Sequence, residues 1–108
     1  MTKLNKLASE IVNVLDKHQS SQDVAIYYEN KRLSNFEDGW ESEEGFLGSE
    51  FTEWANDDTI TVTFEGPLYS AMNYGTDNQL VQELRKLIDD NGFYWELGNA
   101  WNLSLYEK

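Results

Sequence analysis

The stretch "TITVTFE", residues 59–65, is the clearest secondary-structure signal in the chain. Ile60, Val62 and Phe64 alternate with threonines and a glutamate, which is the period of a β-strand with one buried face and one polar face. "GP" at residues 66–67 follows directly and predicts a short helix, because proline is favoured at the first helical position. The apolar face of this strand must pack against other apolar side chains, and the segments before and after it in the sequence should supply them.

Amphipathic helices are predicted before and after this strand, each with a stripe of apolar side chains at three- and four-residue spacing. The first follows a Thr2 N-cap, and the second begins at a capping box, Thr76 to Gln79, and ends before Gly92. The stripes are Leu4, Leu7, Ala8, Ile11, Val14 and Leu15 in the first helix, and Leu80, Val81, Leu84, Leu87 and Ile88 in the second.

Residues 93–108, "FYWELGNAWNLSLYEK", predict a β-hairpin, and the apolar pattern favours one register. A three-residue loop at residues 98–100 pairs Trp95 with Leu103 and gathers the apolar side chains on one face. A two-residue loop would distribute them over both faces, and a one-residue slip flips every side chain. The favoured register predicts that Trp95 and Trp101 are both buried.

Further strands are predicted in "DVAIYYENKRL", residues 23–33, with a turn at "ENK" and a short second strand near Arg32 to Phe36. The whole chain, residues 1–108, therefore predicts one α+β domain. We expect a four- or five-stranded, mainly antiparallel sheet with helices packed on one face, and an acidic insert at about residues 34–58.

The charge of the chain restricts its partners. Twenty Asp and Glu against eight Lys and Arg give a formal net charge of -12, which repels nucleic acid and anionic membranes and attracts basic proteins. We therefore expect a basic protein partner, with no direct nucleic-acid or membrane contact.

The absence of cysteine excludes disulfides and thiolate chemistry and suits a reducing cytoplasm, and the N-terminus does not resemble a signal peptide.

"SNFEDGWESEEGFLGSEFTEWANDD", residues 34–58, is called the acidic stretch below. It holds nine carboxylates and five aromatic residues, with no Lys, Arg or His. Aromatic anchors among carboxylates are typical of a protein-binding surface, whereas a solubilising loop needs few aromatic residues. The alternative is a solvated loop whose aromatic side chains pack on the sheet. The candidate partner-binding residues are Glu37, Asp38, Trp40, Glu41, Glu43, Glu44, Glu50, Glu53, Trp54, Asp57 and Asp58.

Catalytic and metal-binding patterns are missing from the sequence. The one histidine, His18, ends the first predicted helix and is expected to face solvent, so a nucleophilic triad would need an unusual base. No placement of Gly39, Gly45 or Gly48 satisfies the ligand spacing of an EF-hand, and no phosphate-binding loop is present. We expect no enzymatic activity, no cofactor and no regular metal site; weak, irregular cation binding stays open.

The small size, the lack of cysteine and the acidic segment Glu37 to Asp58 resemble two classes of protein. One comprises phage- and plasmid-encoded inhibitors of host defence, such as anti-CRISPR and anti-restriction proteins, several of which are DNA mimics. This resemblance implies a non-enzymatic inhibitor that binds the basic, nucleic-acid-binding groove of a nuclease such as a CRISPR effector. The other class is the immunity proteins that neutralise nuclease toxins. A carbohydrate- or cation-binding module is the third alternative.

Overall fold

The computed structural model describes residues 2–108, which form an α+β fold of three α-helices, one short 3-10 helix and six β-strands. The helices are α1 (Lys3–Lys17), α2 (Gly66–Tyr74) and α3 (Asn78–Asp90), and the 3-10 turn is Gly48–Glu50. The strands are β1 (Val24–Tyr28), β2 (Lys31–Asn35), β3 (Glu41–Glu44), β4 (Thr61–Phe64), β5 (Phe93–Asn99) and β6 (Asn102–Glu107).

All six strands form one sheet in the order β3-β2-β1-β4-β6-β5, and every neighbouring pair is antiparallel. The strand predicted from "TITVTFE" is β4, which lies inside the sheet between β1 and β6. The sequence predicts four or five strands, and the additional one is β3, an edge strand within the acidic stretch. Its sequence, "ESEE", has none of the β-branched or aromatic residues that indicate a strand.

The helices cover one face of the sheet, as predicted. Helices α1 and α3 contact each other, and they also contact β1 and β5, respectively. Burial of their apolar stripes against β4 and its neighbours is the main favourable term in the stability of such a fold. The core is formed by Leu7, Ala8, Ile11, Leu15, Val24, Ile26, Tyr28, Ile60, Val62, Phe64, Leu68, Ala71, Leu80, Leu84, Ile88, Phe93, Leu103 and Leu105. None of the helices in residues 2–108 is long and apolar enough to cross a lipid bilayer.

The helix caps differ from the prediction at one end. The Thr2 hydroxyl accepts a hydrogen bond from the Asn5 backbone N–H at 3.1 Å, so the predicted cap of α1 is confirmed. Helix α3, however, is capped by Asp77, whose carboxylate accepts from the Leu80 N–H at 3.0 Å. A carboxylate also interacts favourably with the helix dipole, which explains why Asp77 and not Thr76 takes this position.

His18 is not the solvent-facing residue that the sequence suggests. Its side chain is only 10% exposed, and it lies where the end of α1 meets the beginning of α3. Its Nδ1 is 3.4 Å from a carboxylate oxygen of Asp77, and its Nε2 is 3.1 Å from Glu83. The prediction was wrong because these two carboxylates come from the distant α3 and its N-cap, and they place negative charge within ion-pair distance of a buried imidazole.

The β5–β6 hairpin has a different register from the predicted one. Trp95 pairs with Leu105, the chain turns at residues 100–101, and a bulge at Gly98 takes up one extra residue. The difference from the predicted register is two residues, so the alternation of faces is preserved and Leu103 is buried as expected.

The tight turn of this hairpin explains why the prediction for Trp101 was wrong. The Asn99 side-chain oxygen accepts hydrogen bonds from the Trp101 backbone N–H at 2.9 Å and from the Asn102 amide at 2.8 Å. These bonds close a two-residue turn, which places Trp101 at the tip, where its side chain is 37% exposed. Trp95 is half-buried against the core.

The acidic stretch covers part of the second face of the sheet. Three polar side chains of that face are almost completely buried, namely Thr61, Asn102 and Ser104. Each has a partner in the stretch: Thr61 accepts from the Asn56 N–H at 2.9 Å, Asn102 donates to Thr52, and Ser104 donates to the carbonyl of residue 54. The polar face of β4 and β6 is therefore a docking surface for residues 52–56 and does not contact solvent there.

Gly98 is where this cover approaches the sheet most closely. A methyl group at Gly98 would lie 2.3 Å from the Trp54 Cβ and 2.3 Å from the Asn102 Oδ1. We therefore expect Gly98→Ala to lower the free energy of unfolding by about 1–3 kcal/mol, because both the Asn102 side chain and the backbone that carries Trp54 must move. Gly48→Ala is the graded control, since its nearest atom, on Thr61, would be 3.2 Å away. Urea unfolding of both variants tests this, and a smaller loss for Gly98→Ala than for Gly48→Ala would contradict it.

Candidate partner-binding surface

One row of side chains crosses the second face of the sheet and supports the acidic stretch. In register these residues are Glu43, Arg32, Tyr27, Thr61 and Ser104, one from each of the strands β3, β2, β1, β4 and β6. Directly paired residues project to the same face, so this row forms a continuous polar and aromatic track. The stretch lies over this track, with the Phe51 ring stacked on Tyr27 at a centroid distance of 5.2 Å.

Arg32 is the cation around which the aromatic residues of the stretch are arranged. Its Nη2 donates a hydrogen bond of 2.8 Å to the Glu43 carboxylate, and its side chain is only 15% exposed. The guanidinium carbon is 4.0 Å from the ring centroid of Phe46, 5.6 Å from that of Phe36 and 5.8 Å from that of Phe51. Three of the five aromatic side chains in the stretch therefore surround one guanidinium group.

The charge of Arg32 is stabilised by its surroundings. Burial opposes the charged form, but the hydrogen bond to Glu43 and the nearby Tyr27 hydroxyl outweigh this effect and raise the pKa of Arg32 above its ordinary value. The guanidinium therefore stays charged, and its ion pair with Glu43 adds to the backbone pairing of β2 with β3.

Eight of the nine carboxylates of the acidic stretch are exposed, and Glu43 is half-buried. Glu43 is also the one member of this set that forms an ion pair within residues 2–108. The exposed set consists of Glu37, Asp38, Glu41, Glu44, Glu50, Glu53, Asp57 and Asp58. Their charges are consequently not neutralised by the rest of the described chain.

Two of these carboxylates also shape the loop. The Glu50 side chain accepts from the Leu47 N–H at 3.2 Å, and Asp57 accepts from the N–H and the hydroxyl of Ser49. Both sets of bonds hold the 3-10 turn, so Glu50 and Asp57 have a local structural role besides their charge. Glu37, Asp38, Glu41, Glu44 and Glu53 are exposed without such bonds.

The two tryptophans proposed as anchors lie on opposite faces of the sheet. Trp40 is half-buried on the helix side, where its indole N–H donates to the Asp16 carboxylate at 2.9 Å and its ring packs against the core. Trp54 lies over the second face with a side chain that is 50% exposed. Of the two tryptophans, Trp54 is therefore the exposed one, as are two phenylalanines of the stretch, whose exposure is 49% for Phe36 and 44% for Phe51.

A small acidic hollow lies beside β3. It has a volume of about 170 Å³, and its lining includes Phe36 and the carboxylate residues Glu37, Glu41 and Glu43. Of these carboxylates, Glu43 is paired with Arg32. The carboxylates do not form a set of metal ligands, since no group of three or more His, Asp or Glu side chains in residues 2–108 is close enough to hold a metal ion.

A larger cleft lies on the other side of Phe36. Its volume is about 370 Å³, and it is lined by Asp23, Tyr27, Arg32, Phe36, Phe51, Thr63, Phe64, Glu65 and Trp101. None of these residues is among the candidates predicted from the sequence, because most of them come from parts of the chain outside the acidic stretch. Arg32 offered one usable indication: it is the last basic residue before the acidic stretch, in a strand predicted to lead into it.

Comparisons with protein-family models, with curated proteins and with solved structures found no match to this chain. The arrangement of residues on this surface is therefore the basis of the functional argument.

Arg32→Met is expected to lower the free energy of unfolding by about 1.5–3 kcal/mol, because it removes a charge-assisted hydrogen bond and leaves Glu43 unpaired. The measurement is urea unfolding, with Lys31→Met as the control at the next position of β2. In the double variant Arg32→Met with Glu43→Met, part of the loss should be recovered. Equal losses for Arg32→Met and Lys31→Met would show that the guanidinium does not organise the stretch.

Proposed function

We propose that the protein is a non-enzymatic inhibitor that uses the acidic stretch to bind a basic, nucleic-acid-binding groove of a partner protein. One observation carries this proposal: the acidic stretch, attached to a β-sheet, exposes eight carboxylates without an intramolecular ion pair together with the rings of Phe36, Phe51 and Trp54. A monomeric protein has little reason to expose such a patch unless another molecule covers it.

The carboxylates favour a groove that binds nucleic acid. Glu41 and Glu43 project from the same side of β3, and the rise of a strand separates them by about 7 Å. Glu43 is paired with Arg32, so the unpaired charges here are those of Glu41 and of Glu37, which lines the same hollow beside this sheet edge. Protein grooves that bind nucleic acid carry Lys and Arg side chains that contact a row of phosphates. The same groove can accept carboxylates that are spaced along a strand.

The exposed aromatic side chains can supply the binding energy that the charges alone do not. Exposed charges mainly accelerate association and select the partner, and much of their effect is screened by salt. Buried aromatic contacts, by contrast, dominate the energy of many protein interfaces. Trp54, Phe36 and Phe51 lie among the carboxylates, so one surface offers both contributions.

In its specific form, the proposal names a defence nuclease, and in particular a CRISPR effector, as the partner. The support for this form is the resemblance in size and charge to phage- and plasmid-encoded inhibitors. An immunity protein would use the same surface against a nuclease toxin. The choice between the two is an outcome of the experiment below.

The test is inhibition of nucleic-acid cleavage by a panel of guide-loaded CRISPR effectors and nuclease toxins. We expect one of them to be inhibited, with inhibition weakening between about 0.1 M and about 1 M salt because exposed charges are screened. The variant Glu37→Gln with Glu41→Gln should slow association by about 3- to 10-fold and leave stability unchanged or slightly raised.

The matched control is Glu10→Gln with Glu107→Gln, which removes the same charge elsewhere on the molecule. If both double variants slow association equally, the effect is one of net charge, and the acidic stretch is not the interface. Absence of inhibition across the panel, or inhibition insensitive to salt, would contradict the proposal itself.

The tryptophans provide a second test, because the structure assigns them different surroundings. Trp54→Ala should weaken partner binding by about 2 kcal/mol or more with little loss of stability. Trp40→Ala should instead lower the free energy of unfolding by about 3 kcal/mol, since its ring packs on the core and its N–H binds Asp16. Affinity and urea unfolding are measured for both. If Trp54→Ala affects only stability, the stretch is a cover for the sheet and no interface.

A further inference from the structure

The aromatic cleft differs in charge from the acidic hollow beside it. Tyr27, Phe36, Phe51 and Trp101 contribute four rings to its lining, and Arg32 lies among them. The charge of Arg32 is balanced by its ion pair with Glu43, so it leaves no net positive charge in the cleft. A volume of about 370 Å³ lies at the lower end of the range of small-ligand sites, about 300–1,000 Å³, and suits one long side chain.

The uncompensated charge of the cleft comes from Asp23 and Glu65. The Glu65 backbone N–H donates to the Asp23 carbonyl at 3.1 Å, so these residues are neighbours where β1 begins and β4 ends. Neither forms an ion pair in the described part of the chain. The Asp23 carboxylate accepts one hydrogen bond, of 3.2 Å, from the Gln22 side chain. The cleft therefore attracts a cation.

The backbone next to these two residues is tightly packed. Asp23 has a positive φ of 62° and Gly66 one of 64°. A Cβ atom at Gly66 would lie 3.0 Å from the Gln22 carbonyl oxygen and 3.6 Å from the Asp23 Oδ2. Only glycine allows the beginning of α2 to approach the beginning of β1 so closely. The backbone that carries the two carboxylates is thus fixed before any ligand arrives, which lowers part of the entropic cost of binding.

We infer that this cleft receives an arginine side chain of the partner protein, with its guanidinium between Asp23 and Glu65 and against the ring of Trp101. An anionic ligand such as a nucleotide would be repelled by the two carboxylates. Among cationic side chains, arginine fits best because its planar group stacks on aromatic rings and donates paired hydrogen bonds to carboxylates, whereas lysine is a compact, strongly hydrated point charge. The inference rests on the proposed function, since a basic partner is what supplies the arginine.

The test uses small probes, so that it does not depend on finding the partner. The indole N–H signal of Trp101, assigned with the variant Trp101→Phe, is followed by NMR while N-acetyl-arginine amide is added. We expect a saturable shift with a Kd in the millimolar range, a weaker response to N-acetyl-lysine amide, and none to N-acetyl-citrulline amide, which has the same shape without the charge.

Glu65→Gln is the matched protein variant, because the Glu65 side chain forms no cap bond with α2 and the change should not disturb folding. It should weaken binding of the arginine probe by about tenfold, and Glu10→Gln should leave it unchanged.

Equal binding of lysine or citrulline, or no binding of arginine, would overturn the inference. Arginine binding without inhibition of any nuclease would leave the cleft's selectivity intact and contradict the proposed function instead. Inhibition of a nuclease without arginine binding would support the proposed function and overturn the inference about the cleft.

Discussion

The contact between the Arg32 guanidinium and the side chains of the acidic stretch is the interaction on which the proposed surface depends. It connects β2 to the edge strand through Glu43, and it gathers the rings of Phe36, Phe46 and Phe51 around one charge. Nine carboxylates within 25 residues would otherwise favour an extended, self-repelling chain. One buried cation therefore joins the edge strand of this segment to β2, while the other eight carboxylates stay exposed.

The way in which the stretch attaches to the sheet also explains why its aromatic side chains remain exposed. Residues 52–56 dock mainly through polar bonds between backbone groups and the buried side chains of Thr61, Asn102 and Ser104. Trp54 shows the principle: its carbonyl oxygen accepts from Ser104, while half of its side-chain surface faces solvent. Because hydrogen bonds satisfy the polar face of β4, apolar burial is not needed there, and the rings can serve a partner.

The sequence predicts the helices and β4 well because their apolar residues repeat with the period of the element that forms. The face assignment of the final hairpin is also confirmed for Phe93, Leu103 and Leu105, since a two-residue error in register preserves alternation. Strand β3 was missed because "ESEE" forms a strand only through its pairing with β2. The cleft was missed for a similar reason. Its lining residues come together only after four strands have paired, and local periodicity does not indicate which distant residues become neighbours; they include Asp23, Arg32, Glu65 and Trp101.

The carboxylates of β3 have a consequence for the behaviour of many copies of the protein in one solution. An unpaired sheet edge is a template onto which the edge of another molecule can add, and the growing stack is the beginning of a fibril. Glu41 and Glu44 place unpaired negative charge on this edge, so two copies repel each other where their backbones would otherwise join. That repulsion fades as the solution approaches the isoelectric point near pH 4.2. Acidification therefore removes the barrier to edge-to-edge addition at the same time as it lowers solubility.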